Sequence, residues 1–188
     1  MIEVEKLTKV YPDGKKALDS LNLRIDKGMF GLVGPNGAGK TTLMRILATL
    51  LRPTTGRVRV YGNDLSTSEG RTGTRSTLGY LPQEAGFHLG LSVEQELDYL
   101  ALLKNISSAT ERTCQIAIAL ERVGLEHARK ERVHTLSGGM KRRLGIAIAL
   151  LGNPRLIIVD EPTANLDPAE RVRFRNLLFE LAGDRVVI

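Results

Sequence analysis

Gly34-Pro35-Asn36-Gly37-Ala38-Gly39-Lys40-Thr41 fits the pattern G-x-x-x-x-G-K-[ST]. Its glycines let backbone N–H groups converge on phosphate oxygens without obstruction by Cβ. A helix starting near Lys40 aims its positive dipole end at the same anion. Lys40 adds a point charge for the β- and γ-phosphates, and Thr41 offers a hydroxyl to Mg²⁺. Taken alone, the pattern reads as nucleotide-binding and no further, because kinases, GTPases, helicases and transport ATPases share it.

Two more stretches carry chemistry. Leu156-Ile157-Ile158-Val159-Asp160-Glu161 is an apolar run ending in two acids. By itself it reads as a strand end. Beside a phosphate loop, Asp160 can hold Mg²⁺ through water and Glu161 can polarise an attacking water. Leu136-Ser137-Gly138-Gly139 opens a helix and offers a further array of N–H donors with a hydroxyl, suited to a phosphate. A plain Ser N-cap is the competing reading there. The cluster Lys141-Arg142-Arg143 just beyond reads as a solvated helix face.

The elements that must position these residues follow from the pattern. Ile2-Glu3-Val4 and Leu21-Asn22-Leu23-Arg24-Ile25 alternate as strands around a turn at Tyr11-Pro12-Asp13-Gly14. Phe30-Gly31-Leu32-Val33 is expected as a short buried strand feeding the phosphate loop. A helix then holds Leu43, Ile46, Leu47, Leu50 and Leu51 on one face and stops before Pro53. Arg57–Tyr61 and Thr77–Leu81 read as further strands. Ser92-Val93-Glu94-Gln95 and Ser108-Ala109-Thr110-Glu111 fit capping boxes, and Gly124 suits a helix stop. A helix from about Met140 to Leu151 precedes the strand at Leu156–Val159. Asp167-Pro168 opens another helix, and Arg185–Ile188 reads as a last strand.

Composition bounds the class. The chain has 188 residues, 42% hydrophobic and 26% charged, which is ordinary globular usage and excludes disordered and fibrous classes. No apolar run approaches the roughly 20 residues of a spanning helix, and no signal-peptide pattern opens the chain. The single cysteine, Cys114, excludes an internal disulfide framework, so a soluble intracellular protein is expected. With 27 Lys and Arg against 21 Asp and Glu the net charge is +6, which suits nucleic acid, an anionic leaflet, phosphorylated ligands or plain solubility.

The order of motifs, with Leu136-Ser137-Gly138-Gly139 between the phosphate loop and Asp160-Glu161, resembles that of ATP-binding cassette (ABC) ATPases over essentially the whole chain. The resemblance implies an α/β fold: a P-loop NTPase core with an N-terminal antiparallel β subdomain and an inserted α-helical subdomain. One domain over 1–188 is expected, β-rich at 1–30 and 54–80 and helical at 85–153. It also implies ATP and Mg²⁺ as ligands. Nucleotide would be held by Tyr11 stacking on adenine, by Gly34, Pro35, Asn36, Gly37, Ala38, Gly39, Lys40, Thr41 and Thr42, and by Ser137, Gly138 and Gly139 across an interface. Thr41, Gln83 and Asp160 would serve the metal, and Glu161 and Gln83 the reacting water. Asn165-Leu166-Asp167 matches the family's D-loop, with Asn165 where Gly or Ala is more usual.

In this family two domains pair head to tail, so a homodimer or heterodimer is implied. Gly28-Met29-Phe30-Gly31-Leu32, Pro82-Gln83-Glu84 and Met140-Lys141-Arg142-Arg143 look like those of bacterial ABC-2-type exporter ATPases. Such subunits act with a polytopic membrane permease on the inner face of the cell membrane. The segment from Glu84 to Leu103 would line the groove for that partner, while Leu91, Val93, Leu97, Leu100 and Leu103 read as core. No switch histidine follows Val186–Ile188; His88, His127 and His134 read as satisfied surface histidines, and the sequence reads as C-terminally truncated with weak turnover. The alternative is a soluble ABC ATPase acting on nucleic acid or ribosomes. A small P-loop kinase or GTPase is disfavoured, because no Asn-Lys-x-Asp motif is present.

Overall fold

In a computed structural model, residues 1–83, 85–160, 168–183 and 185–188 are described, apart from the Glu170 side chain. Alternation at the N-terminus builds the first sheet: Ile2, Val4 and Leu7 are buried while Glu5 is exposed. β1 (Ile2–Val10) pairs antiparallel with β2 (Lys16–Ile25) and β4 (Thr55–Val60), and β5 (Asn63–Asp64) completes the order β2-β1-β4-β5.

The second sheet is parallel, in the order β3 (Gly28–Met29), β8 (Val186–Val187), β7 (Leu156–Val159), β6 (Leu78–Leu81). β7 is buried on both faces, as a parallel strand between helical layers must be. Leu156 and Ile158 join the core that surrounds α1 (Lys40–Leu47) and includes the antiparallel sheet. Ile157 and Val159 join the opposite core, formed with α3 (Val93–Leu103), α4 (Ala109–Val123), α5 (Gly138–Leu150) and α6 (Pro168–Leu181). Gly79 lets α5 come close: a Cβ there would lie 2.1 Å from the Ala149 carbonyl oxygen. Tyr61 ties the two sheets together, donating its hydroxyl to the Arg155 carbonyl at 2.7 Å beneath that residue's guanidinium.

Local chemistry sets the helix ends. Ser92 and Gln95 form a full capping box at α3, Ser108 caps α4, and Gly124 closes α4 in the left-handed region at φ 63°. Three expectations are corrected. The strand at Phe30–Val33 does not form: pairing ends where the Phe30 N–H donates to the Val187 carbonyl, and Val33 is 98% exposed. The phosphate-loop helix ends at Leu47, before Leu50, because Thr49 turns to φ 62°; Leu50 is left exposed. Of the expected core aliphatics, Val93 and Leu97 are buried, but Leu103 faces solvent. Within the stretch expected to be β-rich, α2 (Ser68–Ser76) also forms, capped by Thr67.

Lys104, at the end of α3, fastens the helical layer to the sheet. Its ammonium donates to the Leu151 carbonyl at 2.7 Å and to the Leu78 carbonyl at 3.4 Å. Burial lowers its pKa from 10.5 to about 8. The unfolded chain therefore keeps a proton that the folded chain sheds between these values, so stability from this group rises as pH climbs from about 8 to about 10.5. Denaturant titrations of the parent and Lys104→Met at pH 7.5 and 9.5 should show the parent gaining on the variant at the higher pH. A pH-independent difference would mean that the amine is not desolvated.

Candidate functional site

The reactive groups gather where the parallel strands end. β7 finishes at Val159, and the next residue, Asp160, is 3% exposed, its N–H donating to the Leu81 carbonyl at 3.0 Å. Neighbouring Tyr80 holds its phenol above the ordinary value, first because it is buried and then because the Asp160 charge lies near. Lys40 and Asp160 line one cavity of about 240 Å³, walled by Met44, Leu32, Leu178 and Ile188. Two sequence motifs far apart in the chain thus meet at one pocket.

The phosphate loop itself is open. Gly34, Pro35, Asn36, Gly37 and Ala38 are exposed, Gly39, Lys40 and Thr41 are half-buried, and Thr42 is buried. Gly39 is the N-cap of α1 at φ 90°, without a side-chain cap, and no acidic residue sits in the first turn. The first-turn N–H groups have no partner within the helix, and Gly39 has no side chain with which to cap them. Helices α2 to α5 each receive a Ser or Thr cap instead. Lys40 lies across the loop, its ammonium donating to the Gly34 carbonyl at 2.6 Å and the Pro35 carbonyl at 3.0 Å. Tyr11, in the turn between β1 and β2, stands 3.2 Å from the Thr42 hydroxyl through its own, so two residues expected on the nucleotide are adjacent.

Gln83 is exposed just beyond β6. Ser137 is exposed and caps α5, its hydroxyl accepting from the Met140 N–H at 3.2 Å; Gly138 is exposed and Gly139 half-buried. The plain cap reading is therefore realised, and it leaves the start of α5 facing outward. Glu161, Glu84 and Asn165-Leu166-Asp167 lie outside the described residues. The histidines are held as surface groups: His88 Nδ1 lies 2.9 Å from the buried Glu96 carboxylate, and His134 Nδ1 lies 3.0 Å from the Leu89 carbonyl.

The basic cluster is the main surprise. Arg142 donates to the Gln83 carbonyl at 2.7 Å and to the Asp160 carbonyl at 3.3 Å. Arg143 turns to the end of α4, reaching the Val123 and Gly124 carbonyls at 3.5 and 3.4 Å. A solvated face is thus the wrong reading for both arginines. Their acceptors are main-chain carbonyls distant in sequence, which no residue pattern announces.

Comparison with known proteins agrees with this geometry. A sequence model of the family described as ABC transporter matches residues 18–164. The daunorubicin/doxorubicin resistance ATP-binding protein DrrA of Streptomyces peucetius is 43% identical over 190 residues, covering all of this chain and 56% of its own length. The probable multidrug ABC transporter ATP-binding protein YbhF of Escherichia coli is 37% identical, covering all of this chain and 32% of its own length. Human retinal-specific phospholipid-transporting ATPase ABCA4 is 38% identical over 98% of this chain and 8% of its own length. The chain thus spans little more than half, or less, of these relatives. Among solved structures, cbiO1 from Clostridium perfringens, part of the ABC transporter complex cbiONQ, aligns over all of this chain and 76% of its own, with a TM-score of 0.88 and 32% identity. The cassette MJ0796, solved as a dimer bound to ADP and Pi, aligns with a TM-score of 0.84 and 29% identity over all of this chain and 86% of its own.

Gly39 offers a direct test of the loop. A Cβ there would meet the Ala17 carbonyl oxygen at 2.4 Å, on a backbone already in the left-handed region. Gly39→Ala should cost at least about 1–2 kcal/mol of stability from the backbone alone, measured by denaturant unfolding, and should weaken nucleotide binding. An unshifted midpoint would show that the loop is not held in this conformation.

Proposed function

The chain belongs to the ABC transporter family, and we propose that it is an ATP-binding, ATP-hydrolysing subunit that drives export through a separate polytopic membrane permease. The observation that carries this reading is the shared cavity of Lys40 and Asp160 beneath an uncapped helix start. A polyphosphate suits the start of α1 beside that cavity, where first-turn backbone N–H groups, the helix dipole and the Lys40 ammonium lie together. The export sense is supported by relatives named for drug resistance and multidrug transport. These are transport proteins, which weighs against action on nucleic acid or ribosomes.

The roles follow from position. Tyr11, beside Thr42, is assigned to stack on the base, Gly34 to Thr42 to cradle the phosphates, and Lys40 to share its donors between the loop carbonyls and the incoming oxygens. Among the described residues no group of three His, Cys, Asp or Glu side chains can hold a metal by itself. The donor set here, the Thr41 hydroxyl, the Gln83 amide and the Asp160 carboxylate, suits Mg²⁺, which is commonly bound by one or two carboxylates together with substrate phosphates. Bound Mg²⁺ would supply neutralisation of charge at the β- and γ-phosphates. Glu161 is assigned to polarise the attacking water.

Ser137, Gly138 and Gly139 face outward and are assigned to the nucleotide of a second, head-to-tail cassette, identical or similar. Among the described residues no helix is long and apolar enough to cross a membrane. The placement at the inner face of a membrane rests on the permease partner, as cbiO1 is part of a transporter complex.

Lys40→Ala should abolish tight Mg-ATP binding in calorimetry while leaving the unfolding midpoint near the parent's; retained affinity would sink the phosphate-loop assignment. Ser137→Arg should weaken ATP-driven dimerisation, followed by sedimentation, more than ATP binding by the monomer. Equal loss of both would put the Ser137 helix start beside its own chain's nucleotide and contradict the head-to-tail pairing.

A further inference from the structure

The Lys141-Arg142-Arg143 cluster is left unused by the reading above, yet its middle residue touches both halves of the candidate centre. We propose that Arg142 is a positioning residue, whose guanidinium staples the tip of β6, carrying Gln83, to the tip of β7, carrying Asp160, and links both to the helix that Ser137 opens.

The geometry is specific. β6 and β7 are parallel neighbours in register up to Leu81 opposite Val159. Their ladder closes with the Asp160 N–H on the Leu81 carbonyl. Arg142 spans the two strand tips, with one Nη on the Gln83 carbonyl at 2.7 Å and the other on the Asp160 carbonyl at 3.3 Å. A planar fork with donors fixed on both prongs can hold two carbonyls at once; an ammonium is a compact point donor. The arginine comes from the second turn of α5, whose first residue follows Ser137. A shift of that helix start therefore reaches the strand tips through one rigid group. Arg143 on the same helix serves the end of α4 instead, which makes it the natural control.

A packing role and a positioning role part company in measurement. The inference rests on the proposed ATPase function, so ATP binding and turnover by the parent are measured first, with amide hydrogen exchange at Leu81, Gln83 and Asp160 alongside. Arg142→Ala should leave the Kd for Mg-ATP within about twofold of the parent and lower kcat by about 10- to 100-fold, the range expected when reacting groups are misplaced. The Asp160 N–H should exchange faster. Arg142→Lys should recover part of kcat, because its ammonium reaches one carbonyl well. Arg143→Ala should lower the unfolding midpoint without this split between Kd and kcat. An unchanged kcat in Arg142→Ala overturns the proposal, as does a loss of kcat that tracks Kd and the midpoint as in Arg143→Ala. If the parent neither binds nor turns over ATP, the functional reading falls; unchanged Asp160 protection in Arg142→Ala would then overturn the staple separately.

Discussion

Burial of β7 on both faces governs the layout. Four apolar residues, Leu156 to Val159, feed alternate side chains into two cores, so each face of the parallel sheet must be covered. α1 covers one face together with the antiparallel sheet, and α3 to α6 cover the other. With both faces closed by apolar packing, polar chemistry is displaced to the edge where strands end. Asp160 emerges there, directly after the last buried valine, and Lys40 is brought to the same cavity by the helix that packs beneath. A ligand in that crevice lies at the carboxyl ends of the strands, the usual place in open α/β sheets.

The same layout separates the two anion-facing helix starts. α1 packs in the core shared with the antiparallel sheet, whereas α5 packs in the helical core on the opposite face. α1 opens on a glycine in the left-handed region with no side-chain cap, so its N–H groups point at whatever enters the loop. α5 opens on a serine that caps its own helix yet stays exposed. One start lies beside the chain's own crevice and the other faces outward, which is the arrangement that the proposed head-to-tail pairing needs. Arg142 then lies between them, touching the strand tips from the second turn of α5.

Much of this was legible in residue order because it is local. Gly39, Lys40 and Thr41 announce their loop by type and spacing, and Ser92, Ser108 and Gly124 announce their helix ends, since caps act within four residues. What escaped was non-local or patternless. Phe30–Val33 has a strand's composition, but parallel pairing depends on β8 more than 150 residues away, and the ladder stops at Phe30. α2 is Ser68-Glu69-Gly70-Arg71-Thr72-Gly73-Thr74-Arg75-Ser76, with no apolar stripe for periodicity to find. Leu50 continues the helical spacing, yet Thr49 ends the helix before it. Arg142 and Arg143 are adjacent and chemically identical; only the fold sends one to the strand tips and the other to α4.

The proposed pairing requires one chain to present two phosphate-binding surfaces, one for its own nucleotide and one for a partner's. Amide NMR of the chain titrated with Mg-ATP, at low and at high protein concentration, tests it most directly. At low concentration, shifts should be confined to the neighbourhood of Gly34 to Thr42, Tyr11 and Asp160. Shifts at Ser137 to Met140 should appear only as protein concentration rises. Shifts at Ser137 to Met140 in the dilute monomer, or none at Gly34 to Thr42 at any concentration, would contradict the account.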